Sequence, residues 1–282
     1  MKVDIICPLY NAEKHIIELN KNIMKQKKVQ ILNVNYVLTE STDDTEKLLK
    51  ENKIKYKKIK KQDFSHSLVR EKVVFESKAD IVVFITQDII IEKDNWLYEL
   101  VNPIIEGDAE ACFSRQLCKD NSIEKYTREK NYPSESRIVS KKDIEELGLN
   151  TFFFSDASSA IKRDVFIELN GYDNKNLPIS EDMYIAYKII QKGYKIKYCA
   201  KSEVIHYHNF TLKQQYDRYK LTGKFFKQNS YLDKYGTNKS GGGLAKYILK
   251  RAIQEKNIKV LMDFLPNMAV RYIGMKVGKY GK

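Results

Sequence analysis

Ile81-Val82-Val83-Phe84-Ile85-Thr86-Gln87-Asp88 is a run of five large apolar residues that stops on a polar triplet. An unbroken, β-branched run of that length reads as a strand buried on both faces, as in parallel sheets. Moving towards the N-terminus, Ser67 to Ser77 reads as a helix, Ile54 to Ile59 as a strand and Asp43 to Glu51 as a short helix. Val34 to Thr39 is a further strand. Ile16, Leu19, Ile23 and Met24 recur on one helical face, and Val3 to Leu9 forms the first strand. Repeated βα units predict an α/β fold, a Rossmann-like, mostly parallel sheet flanked by helices.

Towards the C-terminus the pattern predicts a helix at Asn95 to Ile105 and a strand at Ala109 to Leu117. A polar loop over 118–151 follows, with one short helix at Lys142 to Leu147. Order resumes at Phe152. A helix begins after Pro178, with Ser180 as N-cap, Glu181 and Asp182 in its first turn and Gly193 as its stop. Tyr194 to Tyr198 and Glu203 to Ile205 read as two short strands. From Leu212 the chain reads as helical, tyrosine-rich and basic, broken at Ser240-Gly241-Gly242-Gly243. Lys and Arg outnumber Asp and Glu by 16 to 4 from residue 212 onward, although the whole 282-residue chain carries only +13. The first 211 residues are therefore nearly neutral, and the extension is suited to an anionic surface or polymer.

Cys7, Cys112, Cys118 and Cys199 show no CxxC spacing, and Cys7 and Cys112 sit in apolar runs as buried thiols do. No disulfide framework or zinc site is expected, which fits a reducing compartment. The chain opens directly on a strand and has no apolar run long enough to span a bilayer, so a cytoplasmic, soluble or peripheral protein is expected.

In an open parallel sheet, ligands bind at the carboxyl ends of the strands. That rule selects Pro8-Leu9-Tyr10-Asn11, Glu40-Ser41-Thr42-Asp43, the loop from Phe64 to Arg70, and Thr86-Gln87-Asp88. None carries a GxGxxG or P-loop pattern. Tyr10 suits stacking on a nucleobase, with polar groups after the second strand reading its edge. Asp88 is either a ligand for Mg²⁺ or Mn²⁺ against a diphosphate or a loop-capping acid. Glu181-Asp182 is either a general base or a pair of acids favoured by the helix dipole. His206 and His208 alternate on a predicted strand, so one of them is a candidate metal or phosphate ligand.

Taken in order, these pieces resemble the family 2 glycosyltransferases of GT-A fold, most closely the bacterial rhamnosyltransferase-like members. The match runs over about residues 3–225. It is carried by Cys7-Pro8-Leu9-Tyr10-Asn11, Ser41-Thr42-Asp43-Asp44-Thr45, Phe64-Ser65-His66-Ser67-Leu68-Val69-Arg70 and Thr86-Gln87-Asp88. Further on come Ser155-Asp156-Ala157-Ser158-Ser159-Ala160, Gly171-Tyr172-Asp173, Ser180-Glu181-Asp182 and Val204-Ile205-His206-Tyr207-His208. The resemblance implies a GT-A domain over 1–211, with a nucleotide-binding half at 1–117 and an acceptor half at 118–211. Residues 212–282 form a basic helical extension.

The same resemblance implies that Pro8, Tyr10, Asn11, Glu40, Arg70, Gln87 and Asp88 bind the nucleotide sugar, Arg70 near its diphosphate. Asp88 and His206 would hold Mg²⁺ or Mn²⁺, and Asp182, with Glu181, would be the catalytic base of an inverting transfer. Two positions depart from the family pattern. Leu38, Thr39 and Glu40 replace its usual residues after the second strand, and Thr86 replaces the first acid of its DxD motif. dTDP-rhamnose is the preferred donor and a UDP-hexose the alternative. The expected acceptor is a glycan, lipid-linked and bound for the cell envelope, reached from the inner face of the membrane through the basic extension. The rival reading is a decayed, non-catalytic GT-A domain docking on anionic membranes or polymers. Nucleic acid is not an expected partner, because no groove-reading or base-stacking motif accompanies the basic extension. The oligomeric state is not legible.

Overall fold

The computed structural model describes residues 1–236 and 242–281. Strands β1 (Lys2–Leu9), β2 (Gln30–Thr39), β3 (Tyr56–Ile59) and β4 (Ile81–Ile85) alternate with helices α1 (Ile16–Met24), α2 (Thr45–Glu51) and α3 (His66–Glu76). Then follow α4 (Trp96–Ile105), β5 (Ala111–Leu117), α5 (Ile123–Asn131), β6 (Arg137–Val139) and α6 (Ile144–Leu147). The order continues with β7 (Ser158–Lys162), α7 (Arg163–Glu168), α8 (Glu181–Gln191) and β8 (Ile196–Ile205). Helices α9 (Leu212–Gln228), α10 (Thr237–Gln254) and α11 (Ile258–Tyr280) complete the chain.

The chain divides into two units. Met1–Arg115, Ser134–Lys141 and Phe152–His206 form the first, and Gln116–Pro133, Lys142–Thr151 and the chain from Tyr207 form the second. The single sheet has the order β3-β2-β1-β4-β7-β5-β8-β6. β1 lies parallel to both β2 and β4, and β2 parallel to β3. Beyond β4 the sheet turns antiparallel, β7 running against β4 and β5, and β6 against β8. All five residues of β4 are fully buried. Successive side chains point to opposite faces, so such burial requires cover on both, and the sequence accordingly shows no alternation. Because the chain crosses from β1 to β2 on one side and reaches β4 on the other, the carboxyl ends of these three strands border a topological switch point.

A buried polar knot fixes the middle of the sheet. The indole N–H of Trp96 donates to Ser114 Oγ at 3.2 Å and to Ser158 Oγ at 3.1 Å, and Ser114 also meets Ser202 Oγ at 2.8 Å. Trp96→Phe removes the shared donor from a site with no exposure, and it should cost about 1–3 kcal/mol, read as a lowered urea midpoint.

Four local expectations need correction. The segment 118–151 contains α5 and β6 as well as the short helix. α5 buries Ile123, Tyr126 and Thr127 along one face amid charged residues, and Ser122 Oγ caps it by accepting from the Glu124 N–H. Its polar composition masked that narrow stripe. The two predicted strands after Gly193 are one strand, β8. Its apparent break at Ser202 is a buried hydroxyl that donates to the Trp96 carbonyl at 3.0 Å. Ser180 does not cap α8; it has a left-handed φ of 62° and makes no capping bond. Finally, Gly242 and Gly243, at which a break is predicted, lie within α10, whereas Ser240 and Gly241 of the same stretch lie outside the described residues. Ile248 and Ala252 further along it are buried with Ile123, Tyr126 and Val260, and this packing outweighs the low helix propensity of glycine.

In the second unit, α9 and α11 approach closely through glycines. A methyl group at Gly278 would lie 2.0 Å from the Lys220 carbonyl oxygen, and one at Gly223 2.3 Å from that of Met275. All four cysteines are free, and Cys7, Cys112 and Cys199 are buried.

Candidate active site

Side-chain amides and hydroxyls join the loops at the switch point. Gln87 clamps the residue after β1 from both sides, accepting from the Tyr10 N–H at 2.8 Å and donating to its carbonyl at 2.9 Å. Asn11 takes a left-handed φ of 49°, which asparagine tolerates better than most residues. Its N–H donates to Ser41 Oγ at 3.0 Å, and its Oδ1 accepts from the Thr42 N–H at 2.9 Å. Pro8 is buried within β1 itself.

Tyr10 is 38% exposed. Lys61 Nζ donates to its hydroxyl at 3.3 Å and lies 5.4 Å from the ring centre, while the Lys61 N–H donates to the Glu40 carboxylate at 3.3 Å. An aromatic face, a carboxylate and an ammonium group thus share one rim. Sequence reasoning missed Lys61, which sits in a lysine-rich run that reads as solvated surface.

The loop after β4 is bridged to the end of β8 by paired hydrogen bonds between Ile90 and Ile205, at 2.9 and 3.0 Å. This bridge brings Asp88 Oδ1 to 3.5 Å from His206 Nε2, with the imidazole 9% and the carboxylate 26% exposed. β8 ends at Ile205, so strand alternation does not orient His206 and His208 as the sequence suggested. A carboxylate oxygen and an imidazole nitrogen at this separation, both facing a strand-end loop, fit a divalent cation.

The third element is a buried acid cluster on one arginine. Arg70, only 1% exposed, donates from Nη1 to Glu181 Oε1 at 2.6 Å and from Nη2 to the Asp156 carbonyl at 3.4 Å. The family resemblance implies a place for this guanidinium near a diphosphate; in the fold it contacts Glu181 and the Asp156 carbonyl. Asp156, quoted in a motif but given no role there, accepts from Ser159 Oγ at 2.7 Å and from the Tyr172 hydroxyl at 2.9 Å. Burial raises its pKa, against the pull of Arg70. Gly171 is required by the same cluster. Its φ is +47°, and a Cβ there would lie 2.7 Å from Glu71 Oε1, the atom that accepts from the Tyr172 N–H at 2.7 Å.

Asp182 follows the left-handed Ser180 by two residues, in the first turn of α8. Its Oδ1 accepts from the Met183 N–H at 2.7 Å. Burial, and then the charges of Glu181 and Asp156, hold its pKa well above the ordinary carboxylate range. Burial raises the thiol pKa of Cys7, and the thiol lies within the fields of both Arg70 and Asp88.

Residues 4–169 match the family model described as Glycosyl transferase family 2. The chain belongs to glycosyl transferase family 2. This family 2 glycosyltransferase is 32% identical over 289 residues to the O-antigen chain rhamnosyltransferase RfbN of Salmonella typhimurium, covering 99% of this chain and 90% of that protein. It is 34% identical over 245 residues to the O-antigen chain rhamnosyltransferase WbaN of Salmonella anatum, covering 85% and 77%. Among solved structures, the mannosyltransferase PcManGT from Pyrobaculum calidifontis, in complex with GDP-Man and Mn²⁺, has the same fold. The TM-score is 0.66 at 14% identity, over 99% of this chain and 87% of that one. The glycosyltransferase therefore has the α/β, GT-A architecture that its motifs imply, and it is rhamnosyltransferase-like in sequence.

Proposed function

We propose that this enzyme transfers L-rhamnose from dTDP-rhamnose to a hydroxyl of a growing, lipid-linked cell-surface glycan, with inversion at the anomeric carbon. The observation that carries the reading is the approach of Asp88 to His206 at the strand ends, in the same unit as Asp182, whose pKa is raised by burial. Both named relatives are rhamnosyltransferases of O-antigen chains, which supports the choice of sugar and of glycan.

Asp182 is the general base. A carboxyl whose pKa is raised towards the working pH both accepts a proton from an acceptor hydroxyl and releases it again. The deprotonated hydroxyl attacks the anomeric carbon, and the bond to the diphosphate oxygen breaks. Asp88 and His206 would hold Mg²⁺ or Mn²⁺, which supplies positive charge beside the departing diphosphate. Tyr10 stacks on the base above Pro8 and Asn11, with Glu40 and Lys61 at its edge, while Gln87 holds the Tyr10 backbone in place. Arg70 acts through Glu181 and Asp156, holding their charge under Asp182.

Among the described residues no helix is long and apolar enough to cross a membrane. A lipid-linked acceptor calls for a peripheral association at the inner face of the cell membrane, which the basic extension supports.

A melting-temperature panel tests the donor. dTDP-rhamnose with Mn²⁺ should raise the melting point more than GDP-mannose or UDP-glucose does, since a ligand that binds only the folded state stabilises it. A larger shift with UDP-glucose would reassign the donor. Tyr10→Ala should weaken dTDP binding by about 1–3 kcal/mol, roughly 5- to 150-fold, as measured by calorimetric titration.

A further inference from the structure

Helix α11 is apolar on both sides but covered on only one. Val260, Arg271, Gly274 and Gly278 are buried, and Leu261, Phe264 and Met268 pack on the core formed with α5 and α10. The opposite side carries Ile258, Met262, Leu265, Tyr272, Ile273 and Tyr280. Met262 and Leu265 are each 74% exposed, Ile258 70% and Tyr280 66%. At 3.6 residues per turn these positions fall on one continuous stripe along all 23 residues of the helix. A surface helix normally turns polar residues outward, and a long apolar stripe marks a surface that meets a partner.

Charge identifies the partner. Asp263 is the one acidic residue of α11, whereas Lys256 and Lys259 are exposed at its start. Lys276 lies between two rings of the stripe, its ammonium 5.5 Å from the centre of Tyr272 and 5.1 Å from that of Tyr280. The outer positions of α10 repeat the mixture, with Lys246, Leu249, Lys250 and Ile253 exposed at i, i+3, i+4 and i+7. A second copy of a chain carrying +13 would be repelled. Anionic lipid headgroups would be attracted, and tyrosine rings with snorkelling lysines suit the boundary between headgroups and acyl chains.

We propose that α11 is a membrane-docking helix, lying in the plane of an anionic bilayer surface with the Ile258–Met262–Leu265–Tyr272–Tyr280 stripe inserted at the interface. The proposal deepens the peripheral association put forward above and rests on it, but not on the identity of the donor.

Flotation of the full chain with vesicles of phosphatidylcholine, alone or mixed with phosphatidylglycerol, provides the test. The wild type should float with the mixed vesicles and remain at the bottom with the neutral ones. Met262→Gln combined with Leu265→Gln changes no charge, and both side chains are exposed. This variant should lose about 100-fold or more in partitioning, while its melting temperature and its response to dTDP with Mn²⁺ stay at wild-type values. Lys256→Gln with Lys259→Gln should reduce binding to the mixed vesicles and make what remains less sensitive to salt. Equal flotation of wild type and the Met262/Leu265 variant would overturn the proposal. So would equal flotation with both vesicle types, or a wild-type dimer in light scattering that dissociates in that variant. Loss of the dTDP response in wild type, with flotation intact, would instead count against the donor assignment alone.

Discussion

Asp182→Asn is expected to lower turnover by about 10²–10⁴-fold while leaving the melting shift produced by dTDP and Mn²⁺ in place. The amide keeps the shape of the side chain and its contact with the Met183 N–H, but cannot take a proton from the acceptor. The same substitution should make the protein more stable at neutral pH. The folded-state pKa of Asp182 lies above its unfolded value, so folding favours the protonated carboxyl. Its contribution is then favourable at low pH and is lost as the pH rises through the folded pKa. Removing the ionisable group removes that loss, and a thermal melt at pH 7 should show the dead variant melting higher. Activity has the opposite pH trend, since only the deprotonated base works. Its acidic limb should lie above the ordinary carboxylate range, and Asp156→Asn should move the limb down by removing a neighbouring negative charge. An Asp182→Asn enzyme with wild-type turnover would remove this carboxylate from the mechanism.

Arg70→Met carries the largest expected effect on stability. It leaves Glu181, whose side chain is 11% exposed, with no cation at 2.6 Å. Breaking a buried pair from one side costs about 3–5 kcal/mol, because the remaining charge is stranded. Replacing both partners, as Arg70→Met with Glu181→Leu, should recover much of that cost. Arg70→Lys keeps the charge but loses the planar fork that reaches Glu181 and the Asp156 carbonyl together, so it should fall between wild type and Arg70→Met. Urea unfolding of the four proteins reads the series. An Arg70→Met midpoint equal to that of wild type would show that the cluster has little energetic weight.

Local sequence pattern reveals part of the site and not the rest. Strand β4 announces itself through five consecutive apolar residues, and Asp88 is found simply by reading past its end. Asp182 is found in the same way, from a helix start. His206 needed more than local pattern, because its approach to Asp88 depends on the two-residue bridge between Ile90 and Ile205, outside any named strand pair. Arg70 illustrates the limit differently. Its residue type suits a phosphate, but whether a guanidinium meets solvent or Glu181 is decided by packing between α3 and α8, which no local spacing encodes. Lys61 was hidden by its lysine neighbours and α5 by its charged faces, since in each case the informative contact lies on one side of an otherwise polar segment. Ser180 read as a cap because its residue type is right; its left-handed backbone is set by the chain entering α8.

The most direct measurement is transfer of radiolabelled sugar into lipid-extractable glycan by membranes supplied with the purified enzyme. Label from dTDP-rhamnose should be incorporated by the wild type, and both Asp88→Asn and Asp182→Asn should reduce incorporation to background. Incorporation at wild-type rates by both variants, or label entering only from a UDP-hexose, would contradict the assignment of donor and site.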